Sequence, residues 1–380
     1  MAVYGRFKER WNPTKAKSKV SKNLTYEIDG EDAKVFFWMN IDSFDEDGSA
    51  FTGIKGRAEI FDDNGASFTP KRYAPIDQVL DAYSHEGLPL PTLTPVKAAH
   101  FQPNAIHFPK GAIGSDERSY VQSGENEMSF TTLELVGPYL NGNGRVFDTW
   151  VTFWVKTYQD NYDESGGHNM GGFYRSVPNS PAEESPTTLH LSPAILFSIT
   201  SSGAPEMTLI QHNQPNNRIN YVGDVDADDL NIEPGEWTQV SWLIKRLQKD
   251  GVLYKYSDMV ELYINGVQVS VSAADESTPN PQIPDSVSTA WFDALPLEVL
   301  FGNQTRGYLA GYNNNQGPGE GFEGALGEFL VFSQPEGTDE ERKRMAKFVY
   351  EAQREGAFHL HSGIHSVSYT HLTLPTIAEV

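Results

Sequence analysis

The chain has 380 residues with no cysteine, 33 glycines, 23 prolines and 12% aromatic residues, and its 29 Lys and Arg against 51 Asp and Glu leave a net charge of −22. The lack of cysteine excludes disulfides, thiolate metal sites and cysteine nucleophiles, and the acidic balance repels nucleic acid and anionic membranes, so neither is expected as a partner. No apolar stretch reaches the roughly 18 residues of a membrane-crossing helix, and abundant Gly, Pro and aromatic residues suit a turn-rich sheet protein.

Residues 1–24 hold Arg6, Lys8, Arg10, Lys15, Lys17, Lys19 and Lys22 against Glu9 alone, a local balance of +6 that leaves −28 on the remainder. Such a block solvates instead of packing, so a flexible basic arm is expected, suited to lie across an acidic face of a neighbouring subunit. No apolar run follows the arm, and a signal peptide is not expected.

Residues 25–87 then read as a small β unit. Runs at 34–42 (KVFFWMNID) and 53–61 (GIKGRAEIF) are parted by a turn at Asp45 to Gly48, and a second turn falls at Asp63-Asn64-Gly65. Ile76, Val79, Leu80 and Tyr83, between Pro75 and Gly87, predict a short amphipathic helix. Residues 88–97, opening LPLPTLTP, predict a stiff extended linker. Glu27, Asp29 and Glu31 alternate as a retaining glycosidase would need them on one strand face. Their place some seventy residues ahead of the main domain, with Gly30 among them, favours a polar lead-in.

Strand signals dominate residues 98–335: 100–108 (HFQPNAIHF), 147–158 (FDTWVTFWVKTY), 236–246 (EWTQVSWLIKR), 259–271 (MVELYINGVQVSV), 295–303 (LPLEVLFGN) and 321–333 (GFEGALGEFLVFS). In the third, Val240, Trp242 and Ile244 alternate with Gln239 and Ser241. In the fourth, Val260, Leu262 and Ile264 alternate with Glu261 and Tyr263; Asn265-Gly266 then turns the chain, and Val267, Val269 and Val271 resume the alternation. A helix is expected over 336–357, opened by a Thr338/Glu341 capping box, striped by Met345, Phe348, Val349 and Ala352, and ended by Gly356.

The order of Trp237, Tyr263-Ile264-Asn265-Gly266, Phe301-Gly302-Asn303 and the strand from Phe322 to Phe332 resembles the laminin-G-like branch of the concanavalin A-like lectin and glucanase superfamily. The resemblance implies an all-β fold, a concanavalin A-like jelly-roll β-sandwich over 98–335 with a small N-terminal β unit and a C-terminal helix. It leaves activity open, because that superfamily mixes sugar binders, adhesion modules, virion proteins and hydrolases. Residues 367–380 (VSYTHLTLPTIAEV) resemble a translated sequencing adapter and are set aside as an artefactual tail.

Asp224, Asp226 and Asp228, followed by Asp229, alternate in a polar loop, where carboxylates converge on a hard cation such as calcium, which takes six to eight oxygens. The run is not an EF-hand, because Asp229 stands where the loop glycine belongs and Gly235 where the bidentate glutamate belongs. The laminin-G-like resemblance also implies loop-bound calcium. Asp160 and Asp163 form a weaker acidic pair, and His359, His361 and His365 a cluster beside the tail. Aromatics in polar loops offer platforms for a pyranose face: Tyr308 and Tyr312 beside Asn313 and Asn314, with Trp291, Tyr162 and Tyr174. Trp150, Trp154 and Tyr158 share one strand face with Thr152 and Lys156, either as a further platform or packed under a cover.

No nucleophile elbow, phosphate loop or zinc-helix pattern occurs. The expected function is therefore a non-enzymatic carbohydrate-binding or adhesive structural protein, carried on a phage or other virion as a tail fibre or capsid decoration, or reaching the cell surface by a non-classical route. Its partners would be a glycan or cell-surface polysaccharide and, through the basic arm, other virion subunits, in a homo-oligomer. The alternatives are a polysaccharide hydrolase or lyase, which needs convergent carboxylates or a Tyr/His base with cationic stabilisers, and a virion subunit that binds only protein.

Overall fold

The computed structural model describes the strands and helix given next, together with residues 109, 158, 200, 202–204, 224, 230–237, 245, 265–266, 270, 322–323 and 337–338. The first strands are β1 (Thr25–Ile28), β2 (Glu31–Phe44), β3 (Ala50–Glu59), β4 (Tyr73–His85), β5 (Thr92–Pro95), β6 (Asn104–Phe108), β7 (Arg118–Ser123) and β8 (Phe130–Thr131). Then come β9 (Phe147–Thr157), β10 (His168–Val177), β11 (His190–Ile199), β12 (Pro205–Gln211), β13 (Gln214–Gly223) and β14 (Thr238–Ile244). The last are β15 (Gln248–Lys249), β16 (Val252–Leu253), β17 (Val260–Ile264), β18 (Val267–Val269), β19 (Val271–Ala274), β20 (Pro296–Asn303) and β21 (Gly324–Pro335), followed by helix α1 (Asp339–Arg354).

These strands build an all-β jelly-roll sandwich. One antiparallel layer runs β18, β17, β14, β9, β21. The other runs β7, β20, β10, β11, β12, β13, β19. Alternation sets what lies between them. Val240, Trp242 and Ile244 of β14 and Val260, Leu262 and Ile264 of β17 all enter the core, as their spacing predicts. Phe329 of β21 is its hub, with ring centroids 4.9 Å from Phe153, 5.5 Å from Phe173, 5.7 Å from Phe197, 4.8 Å from Phe301 and 6.1 Å from Phe37. Offset and edge-on contacts at these distances suit ring quadrupoles as well as burial.

The Asn265-Gly266 turn forms as expected, with φ of 50° and 77°, the left-handed pair that a two-residue hairpin matched to strand twist requires. Asn265 Oδ1 accepts from the Gln239 N–H at 2.9 Å, and the Asn265 N–H donates to the Gln239 carbonyl at 2.9 Å. The hairpin is thus pinned to β14 as well as to itself.

Three expectations are corrected. The segment read as a short helix within 25–87 is strand β4, hydrogen-bonded to β3 and, from Leu80 to His85, to β7. Its apolar spacing of three, one and three is helical, and pairing with strands on both sides overrides that local pattern. Pro75 lies opposite Arg57 in the stretch of β4 without β7 pairing, so its missing N–H takes nothing from the β7 ladder. The N-terminal β unit does not stand apart: β2 pairs with β21, Phe37 and Met39 lie in the common core, and β2, β3 and β4 carry the sheet from one layer to the other. The linker contains β5, which pairs with β6.

Helix α1 opens with the expected capping box: the Glu341 N–H donates to Thr338 Oγ1 at 3.3 Å, and the Thr338 N–H donates to Glu341 Oε2 at 2.7 Å. These Thr338 hydrogen bonds, backbone first, hold the Glu341 carboxyl below its ordinary range. The cap is therefore complete above the ordinary carboxylate pKa and lost as pH falls through the lowered one. Thr338→Ala removes the capping hydroxyl and is expected to cost about 1 kcal/mol in equilibrium denaturation, with Thr338→Ser near wild type; equal losses in both variants would refute the cap.

Candidate functional site

The outer face of β9, β14, β17 and β21, where Trp150 and Trp154 were candidate sugar platforms, is closed by α1. Trp150 is buried between Tyr263, at 5.5 Å, and Phe332, stacked at 6.1 Å with rings 4° from parallel. Trp154 stacks on Tyr350 of the helix at 5.8 Å, while Met345, Ala346 and Val349 are buried. Gln239 and Ser241, facing away from the core as their alternation predicts, meet the helix instead of water. Gln239 Nε2 donates to Thr152 Oγ1 at 2.6 Å and to Gln353 Oε1 at 3.1 Å, and Ser241 Oγ donates to Thr152 Oγ1 at 3.0 Å.

Charged groups on this face are held in a latch. The Arg342 guanidinium forks onto Asp148, with Nε to Oδ2 at 2.8 Å and Nη2 to Oδ1 at 3.2 Å, and its Nη1 lies 3.7 Å from Glu261 Oε1. Burial alone would lower the pKa of Arg342, but the hydrogen bond and charge of Asp148 outweigh it and raise it. Lys245 also pairs with Glu261, and the Tyr263 hydroxyl donates to Glu261 Oε2. Burial first, then the Glu261 hydrogen bond and charge, push the Tyr263 phenol far up, so it stays a neutral donor and not a base. Asp148 and Glu261 are thus tied to cations beneath a helix and do not form an acid/base pair on an open cleft. Tyr158 lies half-buried with its ring 5.4 Å from His107, and Lys156 Nζ is 5.7 Å from the Tyr158 centroid.

A polar pocket of about 390 Å³ opens instead at the corner of the sandwich. It assembles from three segments distant in sequence. Thr200, Ser202 and Ala204 come from the turn joining β11 to β12; Val222, Gly223 and Asp224 from the end of β13; and Ser270, Val271 and Ser272 from the junction of β18 and β19. This junction corrects the reading of 267–271 as one continuing strand. The chain leaves β17 after Val269 and joins β13 from Val271, so Ser270 marks the change of layer, a device by which sandwiches turn their corners.

Local hydrogen bonds fix the walls. Gly203, at φ 80°, closes the first turn, with its N–H on the Thr200 carbonyl at 3.0 Å and the Thr200 N–H on the Ala204 carbonyl at 2.8 Å. The Asp224 N–H donates to the Ser270 carbonyl at 2.8 Å, tying the end of β13 to the corner. The Thr200 and Ser202 hydroxyls lie 2.9 Å apart, and Ser272 Oγ reaches the Val222 carbonyl at 3.4 Å. The Asp224 carboxylate is exposed and takes no partner among the described residues. Among the described residues the pocket therefore offers one exposed carboxylate, four hydroxyls and an apolar side of Ala204, Val222 and Val271.

Of the residues singled out from sequence, Asp224 falls on this pocket. Asp226 and Asp228 lie outside the described residues, as do Tyr308, Tyr312, Asn313, Asn314, Trp291, Tyr162, Asp160, Asp163 and the three histidines, the arm 1–24 and the tail 367–380. Tyr174 lies on β10, in register with Ala194 and Glu298. Among the described residues no group of three or more acidic or histidine side chains gathers as a metal site, and the other aspartates of the run lie outside them. Thr200, Ser202, Ser270 and Ser272 escaped the sequence reading because small hydroxyl residues at turns are what any turn contains.

No protein-family model and no curated protein matches the chain. Among solved structures it is similar to the binding domain of botulinum neurotoxin serotype D, with a TM-score of 0.34, 14% identity, and coverage of 74% of this chain and 49% of that one. It is similar to a heptameric SAP-like pentraxin from Limulus polyphemus, with a TM-score of 0.31, 13% identity, and coverage of 62% and 77%. It is similar to the CBM40 of a Ruminococcus gnavus IT-sialidase, with a TM-score of 0.30, 11% identity, and coverage of 52% and 82%. The chain spans about half the length of the neurotoxin binding domains that it matches.

Proposed function

We propose that this chain is a non-catalytic carbohydrate-binding module and that its ligand sits in the corner pocket. The observation that carries this is the convergence of the Asp224 carboxylate, which takes no partner among the described residues, with the hydroxyls of Thr200, Ser202, Ser270 and Ser272 beside an apolar wall. A sugar ring presents hydroxyls at its rim and C–H groups on its faces. Here the carboxylate accepts from ring hydroxyls through charge-assisted hydrogen bonds, the Ser and Thr groups donate or accept, and Val222 and Val271 cover C–H surface. At about 390 Å³ the pocket lies near the small end of the roughly 300–1,000 Å³ range of small-molecule sites, fit for a chain end or short branch.

The wider reading is an adhesive component of a virion, a tail fibre or capsid decoration. Its support is the split between an arm at +6 and a remainder at −28, which suits an arm gripping an acidic neighbour. Proteomics of purified particles tests that part, and particles devoid of the chain would end it. The glycan part is tested on a glycan array followed by titration calorimetry. Asp224→Ala is expected to weaken binding about tenfold or more, the scale of a hydrogen bond to a charged group. Its melting should match wild type, because Asp224 is exposed. Array silence, or full affinity in the variant, would overturn the assignment.

A further inference from the structure

We infer that the corner pocket selects neutral sugars and rejects carboxylated or sulfated ones. This deepens the carbohydrate reading above and rests on it. Among the described residues that line the pocket, Asp224 is the sole charged one, and none is Lys, Arg or His. Its carboxylate takes no partner among the described residues, so its charge is not neutralised by a neighbouring side chain. The remaining polar groups are hydroxyls, and part of their capacity is spent locally: Thr200 Oγ1 accepts from the Ala204 N–H at 3.1 Å and shares a hydrogen bond with Ser202 Oγ, while Ser272 Oγ donates to the Val222 carbonyl.

A uronate, a sialic acid or a sulfated sugar entering this space would place an anion beside Asp224 with no cation among the described lining residues to receive it. Like charges at such separations repel even near a solvated surface. The field of the whole chain, at −22, adds in the same sense. A neutral hexose meets no such penalty, because an ionised carboxylate accepts hydroxyl hydrogen bonds with no charge of opposite sign required. Specificity here comes from the repulsive element as much as from the attractive one.

The test is calorimetric or NMR titration of the full chain with matched pairs, glucose against glucuronate and galactose against galacturonate, as methyl glycosides. Excess chelator is present so that stray metal supplies no positive charge. The expected result is binding of the neutral member and, at low salt, at least about tenfold weaker binding of its acidic partner. Raising salt toward 1 M, where the screening length is about 3 Å, should narrow the gap. Asp224→Lys should reverse the preference, and Asp224→Asn should reduce it to the small part set by the overall charge. Acidic sugars binding as well as neutral ones in the wild type would overturn the selectivity and leave the site standing. Failure of every sugar to bind would overturn the carbohydrate reading and this inference with it. Preserved selectivity in Asp224→Asn would remove Asp224 as its cause.

Discussion

Phe329→Ala is expected to destabilise the protein by about 3–5 kcal/mol, the loss seen when a large aromatic side chain is deleted from a packed core. Phe329 is almost wholly buried, and its ring meets five others drawn from both layers and from β2. Its removal opens a void on which rings from separate strands cannot all converge, because each is held by its own ladder and rotamer. Specific ring-pair contacts add to the loss of burial. Equilibrium denaturation should show a lowered midpoint with an unchanged slope. Val267→Ala, at a side chain 53% exposed, is the control and should stay within about 0.5 kcal/mol of wild type. A Phe329→Ala loss no larger than that control would mean that the two layers do not pack through this cluster.

The same ring cluster shows why sequence reading succeeded in one part of the chain and failed in another. Residues 236–271 disclose themselves locally: alternation separates Val240, Trp242 and Ile244 from Gln239 and Ser241, and Asn-Gly names its own turn. Thr338 and Glu341 likewise signal a helix start three residues apart. Phe37 carries no comparable mark of its partners. That β2 lies against β21 is a fact about residues some three hundred positions distant, and no periodicity contains it. Residues 76–83 failed for a different reason: their apolar spacing is helical, and pairing with β3 and β7 overrides it. The face bearing Trp150 and Trp154 was legible as a face, while its cover was not. The pocket was least legible, because residues 200–204, 222–224 and 270–272 each read as an ordinary turn or strand end until the corner at Ser270 joins them.

Arg342→Ala should cost about 3–5 kcal/mol, because it leaves a buried carboxylate without its countercharge. Asp148 is fully buried and the Arg342 side chain only 9% exposed, so water cannot take over the fork. Arg342→Lys is not a rescue: a single ammonium cannot reproduce the paired contacts of Nε and Nη2 with the two carboxylate oxygens. The informative variant is double. With Asp148→Leu and Arg342→Met together, neither charge needs burying, and most of the lost stability should return. The latch would then serve to specify how α1 lies on the sheet more than to stabilise it. Hydrogen exchange over Trp150, Val151 and Thr152 separates the two roles, since these are strand amides beneath the helix. In Arg342→Ala these amides should exchange by local opening well before the core at Phe153 and Phe329. In the double variant they should recover only as far as apolar packing of Met345, Ala346 and Val349 can hold the helix in register. An Arg342→Ala protein with wild-type stability and exchange would show that apolar contacts alone dock α1, and that the buried pair contributes nothing to closing this face.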